Sequence, residues 1–271
     1  MVAKFFNRHR HDLRFDWNAA SKFDWQAIQR LFVAAYLKSY EGCSLNSLAL
    51  SEQYIQQAKN RWQKAFKELT LENLEPIRLA LIEPLKAYLS YNQQLLEQAF
   101  TDIKLHLQGK NHDIAKTREL LIKLTALKYQ FEQDFKEERE KIALHKERLD
   151  YLVVRYQEQP IAFFVTELNK KSGRINLRWV TIAPSCHQQG LGKLILEQIT
   201  NYYPEAIGME LYTRKVNHSA QQFYEHCGFK RAEELQFGRP TFENNKDKVI
   251  LYLPEDDATN TPEEFIGFYK P

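Results

Sequence analysis

Residues 179 to 197 read WVTIAPSCHQQGLGKLILE, an apolar strand that passes through a short loop into Gly190-Leu191-Gly192 and straight on into an amphipathic helix. Glycine lets a chain turn tightly and approach a ligand, while the free N–H groups and dipole of a helix start stabilise negative charge. The stretch is therefore a candidate anion site, suited to a pyrophosphate. A Gly-x-Gly between strand and helix also serves as a plain tight connection, so the loop alone identifies nothing. Two nucleotide readings drop out. The Gly-Lys-Ser/Thr of a phosphate loop is missing, and no acidic residue closes a strand about 20 residues later, as a Rossmann site requires.

Downstream lies a second motif, Asn217-His218-Ser219-Ala220-Gln221-Gln222-Phe223-Tyr224-Glu225-His226-Cys227-Gly228-Phe229. Its spacing of Asn, Ala, Tyr and Gly-Phe resembles the signature of the GNAT acetyltransferases. The first stretch resembles the coenzyme A loop of the same family, Val-x-Pro-x-x-Arg/Gln-x-x-Gly-x-Gly. Ile182 stands at the family's Val, Pro184 at its Pro, and Gly190 and Gly192 at its glycines. His187 stands where the family has Arg or Gln, a departure that touches one phosphate contact and leaves the backbone cradle intact.

The resemblance implies an enzyme in which an amine attacks the thioester of acetyl-CoA directly in a ternary complex. Backbone N–H groups around Ile182 would hold the pantetheine arm and the thioester carbonyl, on a strand that the family splays from its neighbour. The backbone of Gln188, Gln189, Gly190, Leu191, Gly192 and Lys193 would cradle the pyrophosphate, with His187 beside it and the Lys193 ammonium adding charge. Tyr224 is the candidate general acid, since an ordinary tyrosine pKa near 10 keeps it protonated and able to donate to a leaving thiolate. Packing against the sheet is its bland alternative. Asn217 would hydrogen-bond near the pantetheine arm, cap the helix that follows, or do both.

For the base, the position commonly acidic in the family falls on Tyr212, so Glu210, of the same strand parity, is the candidate. His218, His226 and a solvent relay remain open. Cys186 and Cys227 lack a paired base nearby and read as packing residues.

Working outward, Tyr151 to Tyr156, Ile161 to Leu168 and Ile175 to Ile182 are short runs rich in β-branched and aromatic residues, separated by turn signals. They predict successive antiparallel strands. A helix over Leu191 to Tyr202, a strand over Met209 to Thr213, a helix over Ser219 to Cys227 and strands over Lys230 to Gln236 and Val249 to Leu253 follow. Leu13 to Trp17 reads as an edge strand and Asp24 to Tyr40 as a helix. The expected class is α+β: a GNAT-like, mostly antiparallel central sheet flanked by helices.

Residues 51–148 lie outside the resemblance and read as a helical insertion, between a first part at 1–50 and the catalytic core and tail at 149–271. No glycine falls between Gly42 and Gly109, and the composition there favours helix. One segment starts at Ser51. A second, from Asn73, carries a stripe from Leu74 to Ile103 with a kink expected at Pro84, and a third carries Ile114, Leu121, Leu124, Phe131, Phe135 and Ile142 on one face. Stripes on either side of Gly109-Lys110-Asn111 predict an antiparallel, coiled helical hairpin, a surface for a protein partner or for self-association. The stretch after Pro254, with Glu255, Asp256, Asp257, Glu263 and Glu264, reads as a polar tail ending in an aromatic patch at Phe265, Phe268 and Tyr269.

A net charge of +3, from 38 basic and 35 acidic residues, selects neither nucleic acid nor an anionic membrane. The longest apolar run, Leu31 to Leu37, is far below the roughly 20 residues of a membrane span, and no apolar stretch follows the basic N-terminal residues as in a secretory signal. Three scattered cysteines suit a reducing, cytoplasmic compartment and no metal or disulfide framework. Two further readings accompany the enzyme: a catalytically silent coenzyme A binder that uses the hairpin as a scaffold, and an exported effector suggested by the insertion and the acidic tail.

Overall fold

The structure, a computed structural model, describes residues 5–43, 50–89, 92–110, 113–237, 241–245, 248–253 and 264–271. The chain divides into two compact units, Met1–Ile28 with Arg139–Pro271, and Gln29–Glu138.

The first unit is built on a seven-stranded sheet. Its strands are β1 (Leu13–Trp17), β2 (Leu149–Tyr156), β3 (Gln159–Asn169), β4 (Arg174–Ile182), β5 (Met209–Arg214), β6 (Lys230–Arg231) and, late in sequence, β10 (Phe265–Lys270). Spatial order is β1-β2-β3-β4-β5-β10-β6. Every pairing is antiparallel except that of β4 with β5, where α8 (Leu191–Tyr202) makes the crossover. Helices α8 and α9 (His218–His226) bury Leu191, Ile195, Ile199 and Tyr224 against Leu152, Val154, Phe164, Leu177, Leu211 and Phe268 of the sheet. This apolar layer supplies the driving force that ordering the loops must overcome.

A three-stranded sheet in the order β7-β9-β8 belongs to the same unit, from β7 (Glu234–Phe237), β8 (Thr241–Asn245) and β9 (Lys248–Leu253). It meets the main sheet at Gly267, where an added Cβ would strike Leu251, Ala232 and Leu235. The Phe242 ring lies 5.5 Å from that of Tyr269, and the Arg174 guanidinium sits 3.8 Å from the centre of Phe242.

The residues after Pro254 correct the expectation of a tail. Residues 254–263, with most of the acidic run, lie outside the described residues, but 265–270 form β10, paired along the whole of β5. Phe268 is fully buried, and the aromatic patch is a strand of the sheet. The strand expected over Lys230 to Gln236 divides into β6 and β7, which join different sheets.

The second unit is helical. It holds most of α2 (Lys22–Ser39) and of α7 (Ala115–Leu144), together with α3 (Glu52–Glu68), α4 (Leu74–Ile77), α5 (Glu83–Lys86) and α6 (Gln93–Leu107). Here the hairpin expectation needs correcting. The arm formed by the second segment is broken: a π turn at Arg78–Ile82 precedes Pro84, and the chain leaves the helix after Lys86 before α6 begins beyond Asn92. The arm formed by the third segment is continuous through 30 residues. It also packs against α3, where Trp62 Nε1 donates to Thr125 Oγ1 at 2.9 Å and Arg61 Nη1 to the Tyr129 hydroxyl at 2.7 Å, while Thr117 Oγ1 donates to Asp102 of α6 at 2.9 Å. Lys123, buried, donates to Glu41 O at 2.7 Å and Cys43 O at 2.6 Å, and burial pushes its pKa down.

Candidate active site

The parallel register of β4 with β5 consists of Ile175↔Met209 and Asn176↔Glu210. Beyond these residues β4 continues through Ile182 in register with β3, so the two strands part. The strand that carries Ile182 is thus splayed from its neighbour, as the resemblance implied. A β-bulge accompanies the parting, since Val165↔Trp179 and Thr166↔Leu177 leave Arg178 as the extra residue of β4.

At the end of β4 a single 3₁₀ turn, Pro184–Cys186, carries the chain to the glycines. Gln188 and Gly190 both have positive φ, 61° and 89°. At Gly190 this left-handed conformation is native to glycine, and it is the N-cap of α8, with no side-chain cap bond among the described residues. The N–H groups of the first turn of α8 are therefore available to an anion. Gly192 does different work. Cζ of Phe223, from α9, would stand 2.7 Å from a Cβ placed there, and Ile182 Cδ1 3.4 Å from it. The second glycine lets α8 meet α9 and the end of β4.

The remaining loop residues fasten the turn. His187 Nε2 donates to Ile182 O at 3.0 Å, so the ring ties the loop back to β4. Gln189 donates through Nε2 to Ser185 O at 2.6 Å and accepts from Phe6 N at 3.2 Å. Leu191 is buried in the core, whereas Lys193 is exposed. Buried Cys186, whose thiol pKa burial raises, has Ser185 Oγ at 3.9 Å.

Asn217 caps α9, its side chain accepting from Ala220 N at 3.1 Å. Tyr224 lies two helical turns on, 6% exposed. Its ring is 5.2 Å from Phe223, 5.7 Å from Phe229 and 5.6 Å from Phe268 of β10. Phe223 thus touches both the Gly192 position and Tyr224, and the packing alternative holds for the ring. Tyr212, beside Glu210 in β5, faces Phe265 at 5.6 Å.

Glu210 is 5% exposed. Asn169 Nδ2 donates to Oε1 at 3.5 Å, and Oε2 is buried without a hydrogen-bond partner among the described residues. Burial raises its pKa to about 7, with Glu167 pushing the same way and Asn169 and the Arg174 charge opposing. A carboxyl poised there can take a proton from an ammonium at neutral pH. Among the described residues no group of three or more His, Cys, Asp or Glu could hold a metal ion, and no helix is long and apolar enough to cross a membrane.

Two buried polar residues on β4 that the sequence reading did not single out are Thr181 and Asn176. Thr181 is fully buried between Val180 and Ile182, which pack on the core, and its Oγ1 has no partner among the described residues. The signal was present: a lone hydroxyl in the apolar run Trp179-Val180-Thr181-Ile182, next to the residue on which the thioester contact was placed.

A strand parted from its parallel neighbour thus leads through a left-handed glycine into the start of α8. The family model described as "Acetyltransferase (GNAT) family" matches residues 116–229. The match begins within α7 and ends at Phe229. Among solved structures, PaiA N-acetyltransferase of Thermoplasma acidophilum in complex with coenzyme A is 13% identical, over 95% of this chain and 99% of that one, with a TM-score of 0.41. A protein of Bacillus anthracis described as a streptothricin acetyltransferase, in complex with acetyl coenzyme A, is 22% identical over 45% of this chain and 61% of its own, TM-score 0.31. The ribosomal-protein-S18-alanine N-acetyltransferase of Escherichia coli is 20% identical over 49% and 76%, TM-score 0.34. A search of the curated proteins gives no match.

Proposed function

We propose that this chain transfers the acetyl group of acetyl-CoA to an amine of a protein, peptide or small molecule by direct attack. The observation that carries the reading is the parting of β4 from β5 at Asn176 and Glu210, followed by the left-handed cap at Gly190. Parted strands leave backbone groups of β4 to hold an extended pantetheine arm, and the start of α8 neutralises the pyrophosphate. Bound there, acetyl-CoA supplies an activated thioester.

The residues have these roles. Backbone N–H groups near Ile182 orient the thioester carbonyl. The backbone of Gln188 to Lys193 holds the phosphates, with His187 fixing the loop against β4 and Lys193 adding positive charge. Asn217 starts α9 and thereby sets the height of Tyr224, which gives its proton to the departing thiolate. Glu210, directly or through water, takes the proton of the incoming ammonium.

The test is acetyl-CoA turnover against a panel of amines, peptides and polyamines, with coenzyme A affinity measured alongside. Tyr224→Phe lowers turnover by about 10² while sparing affinity. Tight coenzyme A binding without transfer to any acceptor would support the silent scaffold instead.

A further inference from the structure

Thr181 has no role in the reading above. It lies beyond the last β4 residue in register with β5 and immediately before Ile182. Its neighbours Val180 and Ile182 pack on the core layer, so strand alternation turns Thr181 to the other face of the sheet. Asn176 and Glu210 share that face, since each sits between two core residues: Ile175 and Leu177, Met209 and Leu211. The bulge at Arg178 shifts the alternation and brings Asn176 and Thr181 to the same side.

All three side chains are at least nine-tenths buried, and each has an oxygen without a hydrogen-bond partner among the described residues: Asn176 Oδ1, Thr181 Oγ1 and Glu210 Oε2. A folded chain rarely leaves a buried hydroxyl unpaired, and three such oxygens on one face of neighbouring strands are what a bound ligand would satisfy. Of the three, Thr181 offers a donor on the strand segment where the thioester is held.

We infer that the Thr181 hydroxyl is a catalytic group that donates a hydrogen bond to the acyl carbonyl oxygen, strengthening as negative charge develops there. The inference rests on the acetyl-transfer reading. As the amine nitrogen bonds to the acyl carbon, the carbonyl π pair moves onto oxygen and is held by the Thr181 O–H. The pair then returns, the C–S bond breaks, the sulfur takes its proton from Tyr224, and the proton that the nitrogen sheds as it becomes an amide restores the phenol. Thr181 keeps its own proton throughout. A donor of this kind matters more in the transition state than in the ground state, so its loss falls on kcat.

Replacement by valine keeps the shape and removes the hydroxyl. The wild type is first shown to bind acetyl-CoA by calorimetry and to turn over an amine. Thr181→Val then lowers kcat by about 10- to 100-fold with the acetyl-CoA Kd unchanged, and raises the melting temperature by roughly 2–6 °C, because a buried unpaired hydroxyl has been removed. Thr181→Ser keeps kcat within about threefold of wild type. A fall in melting temperature for the valine variant would show that the hydroxyl is paired within the fold, and an unchanged kcat would show that it does not touch the reaction; either overturns the assignment while acetyl transfer stands. A wild type that neither binds nor transfers would remove the acetyl-transfer reading and this role with it.

Discussion

Glu210 couples stability to pH through one buried carboxyl. Its folded pKa of about 7 stands above the ordinary value of 4.5, so between those pH values the folded chain holds a proton that the unfolded chain has released. Stability from this group therefore falls as pH rises from about 4.5 to about 7, and above that the buried charge costs on the order of 3 kcal/mol. Glu210→Gln should flatten the pH dependence of the melting temperature and make the chain more stable than wild type at pH 8, as thermal unfolding over a pH series would show. If Glu210 is the base, kcat/KM climbs through pH of about 7 in the wild type and the variant loses that limb. Asn217 makes a contrasting case. Asn217→Ala removes the cap on α9 and should cost about 1 kcal/mol, read by denaturant titration, while coenzyme A affinity stays within about twofold if capping is its main work.

At the level of elements, the glycine turn and the helix behind it form one construction. Gly192→Ala sets a Cβ into the Phe223 ring, so it should lower the melting temperature and weaken acetyl-CoA binding. Adding Phe223→Leu should recover most of the stability, because the obstruction is that ring; a double variant no better than the single would refute the packing account. Phe268→Ala, at a fully buried site of β10 beside Tyr224, should cost about 3–5 kcal/mol in a denaturant titration. Elements with a clear period and a clear boundary were legible in the sequence: Leu13–Trp17 and Leu191–Tyr202 fall where the pattern put them. β10 was not, because six residues after an acidic run carry no period of their own, and only their pairing with β5 makes Phe268 a core residue. The arm formed by the second segment failed for a related reason. The kink expected at Pro84 is legible, but a hydrophobic stripe reports which residues face inward, not whether the hydrogen-bond ladder beneath them continues from Lys86 to Gln93. At the site, glycines and the Asn–Tyr–Gly–Phe spacing are visible as letters. The unpaired oxygens of Asn176 and Thr181 exist only once the strands part and the bulge at Arg178 sets their face.

Across the whole molecule, the near balance of 38 basic and 35 acidic residues gives no field to draw in a highly charged donor, so the account places recognition in local backbone geometry at the end of β4 and the start of α8. Salt should then weaken binding only modestly, to the extent that Lys193 contributes. The family match at 116–229 and the two compact units do not share boundaries. The most direct measurement is a calorimetric titration of acetyl-CoA into the full chain, repeated with Gly190→Ala, which forces a side chain into a left-handed cap. Saturable heat at one site per chain, with affinity reduced at least about tenfold in the variant, is the predicted result. No heat in the wild type, or equal affinity in both proteins, would contradict the claim that this turn holds the acyl donor.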